Sequence, residues 1–299
     1  MKADGKDTSE KAADEGIFSR VILSKTTNVG DKLSREKMID GTKRINALQI
    51  TDKYRREIKE VVTREFSLTI MLNNREIVTL LCTPKDLKWL AVGYLASEGL
   101  IQDKAQIKKI TLNESKGIVH VEIRGQEMAT AQSLTKKLIA SSGGKSVTPL
   151  RLSDASSRAK ITSQMKITPN DVFNMVKDFE GHSEVFRETG GVHSAALCDT
   201  NSILLFAEDI GRHNTIDKIF GGCLLEDISL NERGVITSGR VSSEILLKVA
   251  KRRIPILISK SAPTDVAVKL AQSLGITLIG FVRSTKMNVY AGSWRIADT

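Results

Sequence analysis

Apolar and polar positions alternate across Phe66-Ser67-Leu68-Thr69-Ile70-Met71-Leu72 and again from Glu76 to Cys82. Asn73-Asn74 lies between the two runs, and that pair predicts a turn joining antiparallel strands. The period then changes. Leu87, Leu90, Ala91, Tyr94 and Leu95 recur at the spacing of one helix face, so Leu87 to Ser97 reads as a helix. Thr83 is the expected N-cap, Pro84 suits the first turn, and Gly99 can end the helix. Ile107 to Asn113 and Gly117 to Arg124 read as two more short strands, which completes a small α+β unit. A second block opens at Pro169 with a helix to about Phe179. Strands Ser194–Cys198 and Ile203–Glu208 follow, then a helix from Asn214 to Glu226 and a buried strand Gly234–Thr237. A helix Ser242–Arg252, a strand Ile254–Ile258, a helix Pro263–Leu274 and a last strand Thr277–Val282 complete the pattern. Strand and helix alternating at this spacing predict an α/β sheet with some parallel pairs, in a chain that is α+β overall.

Four segments follow from these periods. Residues 1–50 hold ten basic and eight acidic residues, are apolar only over Gly16–Leu23, and read as a flexible polar extension. Order is expected from about Tyr54, within a small α+β domain over 51–135. Residues 136–166 read as a basic Ser/Gly-rich linker, and 167–299 as the α/β domain. Charge sharpens this picture. The chain carries a net charge of +10, and between Lys136 and Lys166 seven Lys/Arg face one acid, Asp154. Such a stripe attracts a nucleotide-bearing ligand or an acidic protein partner. Aromatic residues make up only 4% of the chain and no zinc-finger, RNA-recognition or basic-zipper pattern occurs, so nucleic acid is not the expected partner; a basic polyanion-binding module stays as the alternative from another class. No apolar run is long enough for a membrane helix, and Met1-Lys2-Ala3-Asp4-Gly5 does not lead into a secretory signal. Cys82, Cys198 and Cys223 are too few and too scattered for a disulfide framework. The expectation is a cytoplasmic, reduced protein with no membrane partner.

Candidate chemistry gathers where strands end, the place α/β proteins put ligands. Gly190-Gly191-Val192-His193 pairs open backbone with an imidazole. Glu208-Asp209-Ile210-Gly211-Arg212-His213 is a dense run of functional groups between an apolar strand and a helix. Ser238-Gly239-Arg240 precedes hydroxyls and a helix start, which suits a phosphate although the P-loop pattern is missing. Ser259-Lys260-Ser261-Ala262-Pro263-Thr264 and Phe281-Val282-Arg283-Ser284-Thr285-Lys286 form the fourth cluster. Each run, alone, is also what a capped helix or a strand end looks like.

In combination and in this order, Thr189–His193, Glu208–Lys218, Ser238–Glu244, Ser261–Thr264 and Gly280–Arg283 closely resemble the formate dehydrogenase accessory sulfurtransferase family, FdhD. Thr83–Leu87 and Leu90–Gly99 resemble that family's early helix, and the likeness spans roughly residues 60 to 292. The resemblance implies a cytoplasmic homodimer that passes sulfur from a cysteine desulfurase to a molybdenum or tungsten bis-pterin guanine dinucleotide cofactor for formate dehydrogenase. It implies a C-terminal cytidine-deaminase-type fold. Zinc is not expected, because His193 is followed by Ser194-Ala195 and the deaminase His-x-Glu and Pro-Cys-x-x-Cys signatures are missing. It places the guanine dinucleotide end against Phe281-Val282-Arg283-Ser284-Thr285-Lys286. Phe281 offers a face to a purine, and Arg283 and Lys286 offer charge to a pyrophosphate. Gly190, Gly191, His193, Glu208, Asp209, Arg212, His213, Ser238, Gly239 and Arg240 are expected around the same cleft, Glu208 and Asp209 beside Arg212 as a structural ion network rather than acid and base.

One departure changes the expected chemistry. Family members carry the persulfide on a cysteine in a glycine-rich loop, and the matching loop here is Ser141-Ser142-Gly143-Gly144-Lys145, with Ser142 in the cysteine's place. A hydroxyl cannot carry a persulfide, whose chemistry starts from a thiolate. Cys82, Cys198 and Cys223 read as small core hydrophobes.

Overall fold

The computed structural model describes residues 39–124, the backbone of 138–139, and residues 160–298. Order begins earlier than the expected Tyr54. Thr42–Ile50 (β1) and Arg55–Thr63 (β2) pair antiparallel along their whole length, as a hairpin that forms its own two-stranded sheet. Residues 42–50 therefore do not belong to a flexible extension. Their weak apolar signal finds its partner in β2.

Phe66–Leu72 (β3) and Arg75–Cys82 (β4) form the expected hairpin. Asn73 and Asn74 both take positive φ, 45° and 65°, the conformation of a type I′ turn that asparagine tolerates. Ile107–Asn113 (β5), Ile118–Ile123 (β6) and Leu138–Ile139 (β7) complete a five-stranded sheet in the order β5-β6-β3-β4-β7. Leu87–Ser97 (α1) covers this sheet, but its start differs from expectation. The N-cap is Asp86 at φ 53°, with no side-chain capping bond. Thr83 is drawn elsewhere: its N–H donates to Asp209 Oδ2 (3.1 Å) and its Oγ1 accepts from the N–H of Ile210 (3.1 Å). A tertiary carboxylate outcompetes the local cap.

The second sheet has six strands. It contains His193–Cys198 (β8), Ile203–Asp209 (β9), Gly234–Thr237 (β10), Ile256–Ser259 (β11), Thr277–Arg283 (β12) and Lys286–Ala291 (β13). Their order is β13-β12-β11-β10-β8-β9, with β10, β11 and β12 mutually parallel and the β8–β9 and β12–β13 pairs antiparallel. β12 is thus not the last strand. Helices Pro169–His182 (α2), Glu184–Thr189 (α3), Arg212–Leu225 (α4), Ser243–Lys251 (α5) and Asp265–Leu274 (α6) accompany it, α3 in a segment to which the sequence pattern assigns no element.

Strand alternation divides the apolar residues between two cores. Leu197, Val235, Leu257 and Leu278 face Ile219 and Phe220 of α4, Ile245 of α5 and Leu270 of α6. Ala196, Ile236, Ile258 and Ile279 face Met175, Val176 and Phe179 of α2. Covering both faces explains why β10 and β11 are buried at every position, as expected of parallel strands.

The two sheets are joined by helices, not by strands. α1 buries nine of its residues because one side packs on the five-stranded sheet, nearest β6 and β5, while the other crosses α4. The crossing is close: a Cβ at Gly93 would fall 1.7 Å from the carbonyl oxygen of Asp217, and one at Gly221 would fall 1.9 Å from that of Trp89. The fold class is α+β, as the sequence predicts.

Candidate functional site

A cleft of about 560 Å³ opens at the carboxyl ends of the parallel strands. Its wall takes Ser238 from beyond β10, Lys260 and Ser261 from beyond β11, and Arg283 from the end of β12. The opposite wall is the C-terminal end of α3 and the chain into β8: Phe186, Gly190, Gly191, Val192 and His193. Gly190 ends α3 at φ 63°, donating its N–H to Phe186 O (2.8 Å), and no atom lies within 4 Å of where its Cβ would be. Gly190 therefore leaves its backbone open, whereas a Cβ at Gly191 would fall 2.5 Å from Thr63 Oγ1.

Three of the four sequence clusters meet here, and the polar run 208–213 stands mostly behind them. Glu208 is buried; its Oε1 and Oε2 accept from the N–H groups of Phe186 and Val185, each at 3.2 Å. It holds the start of α3, and so places Gly190-Gly191 at the other end of that helix. Burial raises its carboxyl above the usual range, although those two N–H groups oppose the rise. Asp209 pairs in register with His193. Its Oδ1 accepts from Gly211 N–H (2.9 Å) and Asn214 Nδ2 (2.8 Å), its Oδ2 from Thr83 N–H, and Lys218 Nζ lies 2.7 Å from Oδ2. Both carboxylates are committed to protein donors, but only Asp209 forms an ion pair, with Lys218 rather than Arg212; Glu208 is held by backbone N–H groups. Neither carboxylate reaches the cleft wall.

Arg212 and Gly239 lie beside His193: a Cβ at Gly239 would be 3.0 Å from Arg212 Cβ and 3.6 Å from His193 Nδ1. Burial, then the Arg212 cation, with Arg240 adding to it, lower the affinity of the His193 imidazole for a proton; Asp209 opposes them in part. His213 starts α4 and does not line the cleft. Burial, then Lys248, Arg212 and His193, push its pKa down to about 3. The Glu244 carboxylate 3.6 Å from its Nε2 is partly exposed and does not outweigh them. A His pKa depressed in the folded state removes stability as pH falls from its unfolded value near 6.5 towards 3. His213→Gln should therefore flatten the acid side of the stability curve over that window, measured by urea unfolding at successive pH values; an unchanged slope would contradict this reading.

The fourth cluster is divided. Arg283 lines the cleft, its Nη1 donating to Lys260 O (2.7 Å) and Val282 O (2.9 Å). Val282 has a side chain wholly inside the core, so it cannot offer that side chain to a ligand. Phe281 is 41% exposed at φ 51°, while Ser284 and Thr285 form the turn into β13, followed by exposed Lys286. Lys260 pairs with Glu180 of α2 at the cleft edge. Lys260 and Ser261 of the fourth cluster and Ile210 of the second also belong to the wall; Phe186 belongs to it too and lies outside all four clusters. Ser142 and most of the basic stretch lie outside the described residues.

Among the described residues no group of three or more His, Cys, Asp or Glu side chains is placed to hold a metal ion. The three thiols are sealed. Cys82, Cys198 and Cys223 are all buried, and burial pushes each up to about 12. A thiol held there is protonated at neutral pH and is a poor nucleophile. A water-soluble disulfide reagent at pH 8 should thus titrate none of the three in the native protein and all of them in denaturant; rapid native labelling would contradict the burial.

Residues 63–297 match the FdhD/NarQ family. The chain is 44% identical over 242 residues to the sulfur carrier protein FdhD of Bacillus subtilis (strain 168), covering 81% of this chain and 92% of that one. To the protein of the same name from Staphylococcus aureus (strain MRSA252) it is 41% identical over 235 residues, 79% of this chain and 89% of that one. The crystal structure of a candidate formate dehydrogenase accessory protein from Desulfotalea psychrophila superposes with a TM-score of 0.71 at 25% identity, over 86% of this chain and all of the other. The chain belongs to the FdhD/NarQ family.

Proposed function

We propose that this chain is an accessory protein for formate dehydrogenase that holds the molybdenum or tungsten bis-pterin guanine dinucleotide as cargo, with the nucleotide end in the cleft at the strand ends. The observation that carries the reading is the convergence of Gly190-Gly191, Ser238, Lys260-Ser261 and Arg283 on one opening of about 560 Å³. That volume suits a nucleotide. The wall supplies open backbone, two hydroxyls and two cations, the donors a pyrophosphate accepts from. Phe281, exposed beside Arg283, offers a ring face to the base. The names of the relatives, sulfur carrier and formate dehydrogenase accessory protein, support the same role.

The chain's part in sulfur transfer is the finer question. A desulfurase's persulfide needs an accessible thiolate to receive it. The three sealed thiols and the serine at position 142 favour a holder of the cofactor that does not itself carry sulfur. GDP serves as the probe for the nucleotide end. Arg283→Ala should weaken GDP binding roughly tenfold in a calorimetric titration, the loss of about 1.4 kcal/mol expected for one charge-assisted contact. Lys286→Ala, beyond the wall, should have a smaller effect. Equal affinity of wild type and Arg283→Ala would move the nucleotide out of this cleft.

A further inference from the structure

The β1–β2 hairpin is long and regular, and packs against α3 at its base. Nine residue pairs are in register, yet among the described residues no third strand joins either outer edge. A lone two-stranded ribbon is marginal in water, and an open edge is a template for another chain. Three of its aliphatic side chains are exposed, Ile45 by 43%, Leu48 by 46% and Ile50 by 65%, with Tyr54 at the tip by 46%, while Ile58, Val61 and Val62 of β2 are half-buried. Alternation puts Ile45 on one face, beside the Ala47–Ile58 pair, and Leu48 and Ile50 on the other. A flat surface pressed on one face would leave the other bare, whereas a strand added at the edge of β1 places side chains on both.

Charge identifies the occupant. Residues 42–63 hold six Lys/Arg against three Asp/Glu, a net charge of +3. A second copy of this chain would bring like charge to that surface; an acidic segment would complement it. The base of the ribbon is tied to the cleft rim, where Thr63 and Thr189 hydroxyls hydrogen bond at 2.8 Å and Gly191 packs against Thr63.

We propose that the β1–β2 hairpin is a docking arm for an extended, acidic segment of a partner protein, which adds to β1 as a third strand and lays its apolar residues against Ile45, Leu48 and Ile50. The arm presents its partner beside the mouth of the cleft. Main-chain pairing supplies the affinity and the alternating side chains and charges supply the selectivity. The inference stands independently of what the cleft holds.

The test uses the full chain and a fluorescein-labelled peptide of alternating glutamate and valine as long as β1, with a lysine-for-glutamate peptide as control. The acidic peptide should bind by anisotropy, weaken as salt is raised, and slow amide hydrogen exchange over 42–50. Arg55→Glu/Arg56→Glu/Lys59→Glu and, separately, Leu48→Asp should each weaken it about tenfold or more, with the melting temperature unchanged to show that the fold survives. Equal binding of the lysine peptide, or affinity indifferent to charge reversal, would overturn the proposal. So would protection of 42–50 without peptide: growing with protein concentration it would mean a second copy, and independent of concentration it would mean that the chain covers its own arm.

Discussion

Lys218→Met is expected to destabilise the protein by about 3–5 kcal/mol, the range for removing one partner of a buried ion pair. Lys218 and Asp209 both have wholly buried side chains, 2.7 Å apart. The ammonium also donates to Glu208 O (2.9 Å) and Thr83 O (3.3 Å), so its loss strands a carboxylate and leaves two carbonyls without that donor. Against a total stability of about 5–15 kcal/mol for an ordinary domain, this is enough to lower the folded population visibly. Urea unfolding is the measurement. The double variant Lys218→Met/Asp209→Asn should recover part of the loss, since no uncompensated charge then remains. A single-variant loss below about 0.5 kcal/mol would show that the pair is not what joins β9 to the segment at Thr83.

The second large effect is steric. Gly221→Ala puts a methyl 1.9 Å from the carbonyl of Trp89, and Gly93→Ala puts one 1.7 Å from that of Asp217. The obstacles are backbone atoms of the facing helix, so rotamer changes cannot relieve them and α1 and α4 must separate. Overpacking typically costs about 1–3 kcal/mol, and this case belongs at or above the top of that range. A fall of at least about 6 °C in Tm is expected for each. Gly181→Ala is the control, because no atom lies within 4 Å of its Cβ and its φ is not in the left-handed range. It should change Tm little, and an equal fall in all three would remove the crossing as the cause.

How far the sequence could be read depends on whether a residue's partner is near in the chain. β3, β4, α1 and the strands of the six-stranded sheet were legible because alternation and helical spacing are local. β13 was not, since Ser284-Thr285 lacks the Asn-Gly or Gly signature of a tight turn and Lys286 and Asn288 dilute the apolar pattern of an edge strand. β1 was missed for a similar reason, its apolar residues scattered among charges and followed by an exposed turn. Thr83 was misread as a cap because the group that takes it, Asp209, lies 126 residues away. The polar run 208–218 looked like ligand chemistry from composition alone. Burial shows most of it to be the frame that fixes α3, β8 and the start of α4, while the wall of the cleft comes from the glycines, hydroxyls and cations at the strand ends.

On the proposed function, this family member holds the cofactor without carrying sulfur on its own thiols. This is tested most directly by incubating the purified chain with a cysteine desulfurase and cysteine, then measuring intact mass and mapping any adduct. The account predicts no sulfur adduct on the natural chain and a desulfurase-dependent gain of one sulfur atom in Ser142→Cys. One extra sulfur on Cys82, Cys198 or Cys223 of the unaltered protein would contradict it.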